Sequence, residues 1–233
     1  MADPDDLLLL FDIDGTLLRR ASREHAAALH EAIHEVYGVD TREVKLEAAG
    51  RTDIEIARAA LLGAGVSATR IEEGFGALRS AAAAAYARRV PDDLSATVTP
   101  GMRELVQRLA ARDDVALSLV TGNLEPIARL KLRAAGLEQH FPAGQGGFGS
   151  DSEDRTDLPP IARARAGTRD APHPRERTVV IGDTPRDIIC ARADDVRVVA
   201  IATGPHPVAD LAAADAVVED AEALGVELDR LLS

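Results

Sequence analysis

An apolar run of strand length, Leu7-Leu8-Leu9-Leu10-Phe11, ends abruptly in Asp12-Ile13-Asp14-Gly15-Thr16, and this junction constrains the fold more than any other stretch. Alternate residues of an extended chain share a face. Asp12 and Asp14 therefore start on one side, where two like charges repel unless a cation or a proton lies between them. The run reads as a fully buried strand over residues 6 to 11, and Gly15 supplies the backbone freedom that a sharp exit turn needs. Together these features predict a metal-assisted reaction site at a strand end.

The remaining composition says what can surround such a strand. Of 233 residues, 46% are apolar and only 3% aromatic, so the core must be built from Leu, Val, Ile and Ala, which suits helices packed on a parallel sheet. The formal charge of −12 disfavours nucleic acid and anionic membranes as partners, because both require a basic face. A phosphate site would have to be made locally attractive by a cation, backbone amides or a few arginines. The single cysteine, Cys190, excludes an internal disulfide framework and agrees with a reducing compartment. The acidic residues Asp3, Asp5 and Asp6 precede an apolar run too short for a signal peptide or a membrane span, which predicts a cytoplasmic protein.

Along the chain, residues 18 to 95 carry helical patterning alone: Ser22 to Tyr37, Asp53 to Leu62 and Thr69 to Arg89. From Thr99-Pro100-Gly101 the pattern changes to alternating strand and helix. A helix capped there runs to about Ala111, the strand Val115 to Val120 follows, and Asn123 is placed to cap a helix from about Glu125 to Ala135. Further strands are predicted within Gly144 to Ser150, at Thr178 to Ile181, Val196 to Ile201 and around Ala216 to Val218. Helices are predicted at Leu158 to Ala166, Pro185 to Ala193 and the end of the chain. The expected architecture is α/β: a doubly wound, Rossmann-like parallel sheet formed by residues 1–17 and 96–233, with a helical insertion at 18–95.

Ligands of such sheets bind beyond the carboxyl ends of the strands. Asp12, Thr121 and Asp183 each follow a predicted strand, so all three can meet at one edge.

The chain here resembles the haloacid dehalogenase superfamily of phosphohydrolases, through Asp12-Ile13-Asp14-Gly15-Thr16, Val120-Thr121-Gly122-Asn123 and Gly182-Asp183-Thr184-Pro185-Arg186-Asp187. Most similar are members with a helical cap after the first motif, of the phosphoglycolate phosphatase type. The resemblance implies that Asp12 is the nucleophile, and that Asp14 protonates the leaving oxygen and later deprotonates water. It implies that Mg²⁺ is held by the side chains of Asp12 and Asp183 and the backbone carbonyl of Asp14, with Asp187 as a further ligand or support. It also puts Gly15, Thr16, Gly122 and Asn123 around the phosphate, and Thr121 as a donor to it. General chemistry agrees: a carboxylate can form a covalent acyl phosphate, a second carboxyl can move the proton, and Mg²⁺ prefers oxygen ligands.

The chain departs from the family in one respect. A lysine is usual just before the helix preceding the last motif, but the only lysines here are Lys45 and Lys131. Arg155 is the best substitute by position, and Lys131 is a poorer one because it falls in the middle of a predicted helix. Arg51, in Gly50-Arg51-Thr52-Asp53, is a candidate to grip a substrate carboxylate or the phosphate.

The expected activity is hydrolysis of a small phosphorylated metabolite, phosphoglycolate-like or a sugar phosphate, through a phosphoaspartyl intermediate. The alternatives are a phosphomutase of the same superfamily and a noncatalytic phosphate-binding protein. Asp14 argues against a haloacid dehalogenase, since the resemblance implies that those relatives lack the second aspartate. The sequence sets no oligomeric state.

Overall fold

The computed structural model describes residues 2–21, 23–44 and 46–232. Ser22, the expected start of the first helix, and Lys45 lie outside the described residues. The leucine run forms β1 (Leu7–Phe11), buried along its whole length. It pairs in parallel with β2 (Val115–Thr121) on one side and β4 (Thr178–Gly182) on the other, with Leu9 opposite Leu117 and Val179. With β3 (Gly147–Phe148), β5 (Arg197–Ile201) and β6 (Ala216–Val218), the strands form a parallel six-stranded sheet in the order β3-β2-β1-β4-β5-β6.

Both faces of this sheet are covered, and β1 shows why its sequence does not alternate between apolar and polar. Leu7, Leu9 and Phe11 pack into the layer made by α4 (Met102–Ala110), α5 (Glu125–Ala134) and α8 (Ala221–Leu232). Leu8 and Leu10 point the other way, into α6 (Leu158–Ala166) and α7 (Pro185–Ala193).

The long interval between β1 and α4 holds three helices, α1 (Arg23–Tyr37), α2 (Asp53–Gly63) and α3 (Ala68–Ala87). They share an apolar cluster with Leu124 and Ile127 at the start of α5. The chain leaves and returns at one place: Arg19 N–H donates to Thr97 O at 2.7 Å and Thr99 N–H donates to Leu17 O at 2.9 Å.

Two expected caps are not formed as predicted. Gly101, at φ 76°, is the residue preceding α4, and the Thr99 hydroxyl is spent on Thr16 O at 2.7 Å. Leu124 precedes α5, and the Asn123 side chain turns instead toward Asp14.

A buried ion pair fixes the position of α7. Arg163 on α6 reaches both oxygens of Asp194, just beyond α7, at 2.7 and 2.9 Å, and both side chains are nearly inaccessible. Removing one member of such a pair leaves an uncompensated buried charge. Arg163→Met is therefore expected to destabilise the fold by about 3–5 kcal/mol in urea unfolding. Arg175→Met, which removes a half-exposed guanidinium from the same Asp194, should cost about 1 kcal/mol or less.

Candidate active site

The parallel register brings the ends of β1, β2, β4 and β5 to one edge, and the side chains that follow them converge there. Asp12 follows β1 and is held by its backbone, with its N–H donating to Ile181 O at 2.9 Å. Asp183 follows β4, and Asp187 lies in the first turn of α7. Oxygens of Asp12, Asp183 and Asp187 lie within 4.8 Å of one another, and all three residues are buried. Asp14 is two residues past Asp12, with Gly15 at φ 95° turning the chain away.

Each carboxylate has a different partner. Arg155, in a 3-10 turn just before α6, sets one guanidinium nitrogen between Asp187 and Asp12, at 3.1 Å from Asp12 Oδ1. Burial works against the Arg155 charge, but Asp187 and Asp12 outweigh it, so the guanidinium stays charged. Asp187 is fully engaged, because its other oxygen accepts from both the N–H and the hydroxyl of Thr184 at 2.9 Å. Asp183 accepts from the Thr16 hydroxyl at 3.1 Å through one oxygen, while its buried Oδ2 has no partner. A Cβ on Gly204 would come within 1.6 Å of that oxygen, and one on Gly15 within 2.1 Å. Asp183 thus sits in a cradle that only glycines leave open, with a free oxygen.

Burial, followed by the neighbouring Asp187 and Asp12, pushes the Asp183 carboxyl up to about 9. Burial raises Asp12 to about 6 against the pull of Arg155, with Asp187 and Asp14 adding to the rise. A cluster of this kind, made of hard oxygen donors and short of positive charge, fits a divalent cation of the Mg²⁺ type.

Asp14 behaves differently. Burial would raise its carboxyl, but Lys131 and then His25 outweigh burial and hold it below its ordinary value. Lys131 is completely buried and donates to Asp14 Oδ2 at 2.5 Å, and Asn123 Nδ2 donates to the same oxygen at 2.8 Å. Oδ1 is left without a partner.

The network continues outward. Lys131 Nζ lies 3.1 Å from His25 Nδ1, and His25 Nε2 lies 3.0 Å from Asp53 Oδ2, which also accepts from Leu124 N–H at 2.7 Å. One arrangement satisfies all of these contacts: Nε2–H of His25 donates to Asp53, and Nδ1 accepts from Lys131.

Sequence reasoning ranked Lys131 below Arg155 because it lies mid-helix; the structure sets Arg155 between Asp12 and Asp187 and Lys131 on Asp14, a contact the sequence did not foretell. A mid-helix position on the core-facing stripe aims the side chain at the sheet edge, beneath Asp14. The available signal was a lone lysine among Ile127, Ala128 and Leu132 on one face of α5. His25 stands in the same relation to Ala28, Leu29 and Ala32 on α1.

The other predicted residues are distributed around this centre. Gly15, Gly122 and Asn123 line a cavity of about 690 Å³ together with Asp12, Asp14, Arg155 and Asp183. Thr16 is buried with its hydroxyl on Asp183, and Thr121 is buried with its hydroxyl oxygen accepting from Asn123 Nδ2 at 3.1 Å. Arg51 lies on the cavity wall and pairs with Glu55 at 2.9 Å. Sequence reasoning did not anticipate Thr203 and Gly204, which follow β5 and also line the cavity.

The helices α1 and α2 reach this edge. Asp53 N–H donates to Gly122 O at 2.8 Å, Thr52 donates to Glu153 O at 2.7 Å, and Arg58 pairs with Glu153 at 2.6 Å. A Cβ on Gly122 would lie 2.1 Å from Arg51 O, so only glycine allows this approach.

Comparisons with known proteins agree with the geometry. The model of the haloacid dehalogenase-like hydrolase family matches residues 9–192. The chain is 31% identical over 199 residues to a protein named tyrosine-protein kinase PtkA from Mycobacterium tuberculosis and Mycobacterium bovis, covering 84% of this chain. It spans 62% of the length of those curated relatives. Among solved structures, a haloacid dehalogenase-like family hydrolase from Streptococcus pneumoniae superposes with a TM-score of 0.63 at 19% identity, covering 99% of this chain and 100% of that one. A predicted phosphoglycolate phosphatase from Haemophilus somnus gives 0.64 at 18% identity, covering 98% and 99%. A β-phosphoglucomutase from Clostridium difficile gives 0.67 at 16% identity, covering 97% and 96%. At these identities the structures share the fold.

The Lys131–Asp14 pair has a testable consequence for stability. A carboxyl held below its ordinary value of 3.8 contributes stability above that pH, and the contribution is lost as the pH falls and Asp14 protonates. Lys131→Met is thus expected to unfold about 3 kcal/mol more easily than wild type at pH 7. The difference should shrink on acidification below 3.8, which urea titrations at the two pH values would show.

Proposed function

The chain belongs to the haloacid dehalogenase-like hydrolase family, and from that premise we propose that it is a Mg²⁺-dependent phosphatase acting on a small phosphate monoester through a phosphoaspartyl intermediate. The observation that carries this reading is the placement of Asp12: buried, at the floor of the cavity, and flanked by a guanidinium on one side and by the acceptor-rich Asp183 on the other. A carboxylate so placed can attack phosphorus in line, splitting the hydrolysis into two easier steps.

In this reading Arg155 orients Asp12 and offsets charge on the phosphoryl oxygens, the role that the usual lysine would take. Thr121, Gly122 and Asn123 bound the phosphate site. The free Oδ1 of Asp14 exchanges the proton, first with the leaving oxygen and then with the attacking water. Asp14 starts as a carboxylate under the influence of Lys131, so it is poised as the base and must acquire its proton before acting as the acid. Mg²⁺ bound by Asp12, Asp183 and the Asp14 backbone carbonyl would neutralise the clustered carboxylates and the transferring phosphate. Asp187, with both oxygens occupied, supports this shell by holding Arg155. Residues 18–95 act as a cap that excludes bulk water from the acyl phosphate.

A second reading concerns the acceptor. The Mycobacterium relatives carry the name of a tyrosine kinase and the Clostridium neighbour that of a phosphomutase, so transfer to a hydroxyl rather than to water is the competing outcome.

The test is a panel of phosphate esters with and without Mg²⁺, with acid-quenched labelling of the chain. Asp12→Asn should lose more than about a thousandfold in turnover and all covalent label. Retained turnover would exclude Asp12 as the nucleophile. Stoichiometric release of inorganic phosphate would favour water over a hydroxyl acceptor.

The cluster also predicts how Mg²⁺ binding depends on pH. Carboxyls raised to about 6 and about 9 hold protons that a cation must displace. The metal-free fold is accordingly favoured while those groups are protonated and loses that contribution as the pH rises through their raised values. The increase in Tm on adding Mg²⁺ should grow from pH 6 to pH 9, with proton release measurable in weak buffer.

A further inference from the structure

The cavity at Asp12 is much larger than a phosphate group needs, and part of its wall is aliphatic. Of its roughly 690 Å³, the floor is polar, formed by Asp12, Asp14, Asn123, Arg155 and Asp183. An aliphatic part of the wall comes from Leu29 and Ile33 of α1, Ile56 and Ala60 of α2, and Val44 and Leu46 of the segment between them. Leu46 is 36% exposed, one of few large apolar side chains so open among the described residues.

Several of the polar groups lining the cavity are engaged, whereas the exposed Arg19 and Arg20 have no side-chain partner among the described residues and Arg51 Nε has no hydrogen-bond partner. His30 Nδ1 lies 2.9 Å from the Thr41 hydroxyl, His25 is bound between Asp53 and Lys131, and Arg51 is paired with Glu55. A sugar or a glycolate seated against these aliphatic side chains would set its hydroxyls or carboxylate against methyl and methylene groups, losing hydrogen bonds to water without replacement. An apolar alcohol would instead remove both its own surface and the wall from water. Pockets of about this volume enclose molecules well beyond the size of a three-carbon metabolite.

We infer that the site selects phosphate monoesters whose alcohol carries a bulky apolar body, seated against Leu29, Ile33, Val44, Leu46, Ile56 and Ala60, in preference to phosphoglycolate or sugar phosphates. The inference rests on the phosphatase reading for its chemistry and on the chamber alone for its selectivity. The phosphate end is held at the polar floor, and the apolar end fixes the ester in the orientation for attack by Asp12. The ester is cleaved as proposed above: the bond from phosphorus to the alcohol oxygen breaks as the bond to Asp12 forms, and the alkoxide oxygen takes a proton that Asp14 has first taken up from solvent.

A homologous series of n-alkyl monophosphates isolates the chamber, because the leaving-group chemistry hardly changes along it. From ethyl to octyl, kcat/KM is expected to rise about fourfold per methylene until the chamber is filled. Leu46→Asp is expected to flatten this slope. Glycerol phosphate, phosphoglycolate and glucose 6-phosphate should all fall below the hexyl ester by more than about tenfold. A flat series, or a preference for the polar esters, would overturn the inference while leaving the phosphatase reading intact.

Acetyl phosphate, which needs no chamber and little help in leaving, reports on the phosphatase reading separately through its dependence on Asp12. Should no ester turn over, calorimetry with the corresponding n-alkyl phosphonates decides the selectivity by itself. Affinity that tightens with chain length supports the chamber, and affinity independent of length refutes it.

Discussion

Mutual repulsion among carboxylates at one sheet edge is the constraint that the rest of the structure answers. Parallel pairing of β1 with β4 brings Asp12 and Asp183 together whether or not their charges agree, because the register is set by Leu8 to Phe11 against Thr178 to Ile181. The aliphatic core thus holds the acidic groups in place, and the surrounding elements supply what makes them tolerable. The turn before α6 brings Arg155 between Asp12 and Asp187, α5 brings Lys131 under Asp14, and Thr16 donates to Asp183. These partners are not interchangeable. Asp14 is held ionised, whereas Asp12 and Asp183 are left short of positive charge, and this asymmetry suits the phosphoryl transfer proposed for the site.

How far this arrangement could be read in the sequence depended on whether a feature was local. The strand ends were legible because a buried strand, a turn glycine and an aspartate are neighbours in the chain, so Asp12, Asp14 and Asp183 could be placed before any coordinates. Helix extents followed from periodicity, and α6 and α7 begin and end where their apolar patterns do. The helical character of the interval after β1 was equally plain.

Contacts across the chain were not legible. Asn123 looked like a helix cap because asparagine before a helix usually is one, but Asp14, 109 residues away, competes for its amide and wins. Thr99 was similarly diverted to Thr16. Lys131 and His25 were hidden because a charged residue on an apolar stripe acquires meaning only when the facing element is known, and here the facing element is the strand end bearing Asp14. Arg155 was found by its position before a helix, although its two-way contact with Asp12 and Asp187 could not be foreseen.

The contact of Asp53 with the start of α5 carries a kinetic consequence. This carboxylate accepts from Leu124 N–H and faces His25, which is itself tied to Lys131. Lifting α1 and α2 together from the sheet edge would bare the Leu124 amide at the start of α5 and take from Lys131 its second neighbour in one movement, while the His25–Asp53 contact, internal to these helices, would travel with them. Losses that coincide cannot be taken in small instalments, so departure of these helices is a cooperative event with a single barrier. Its dwell times should follow one exponential.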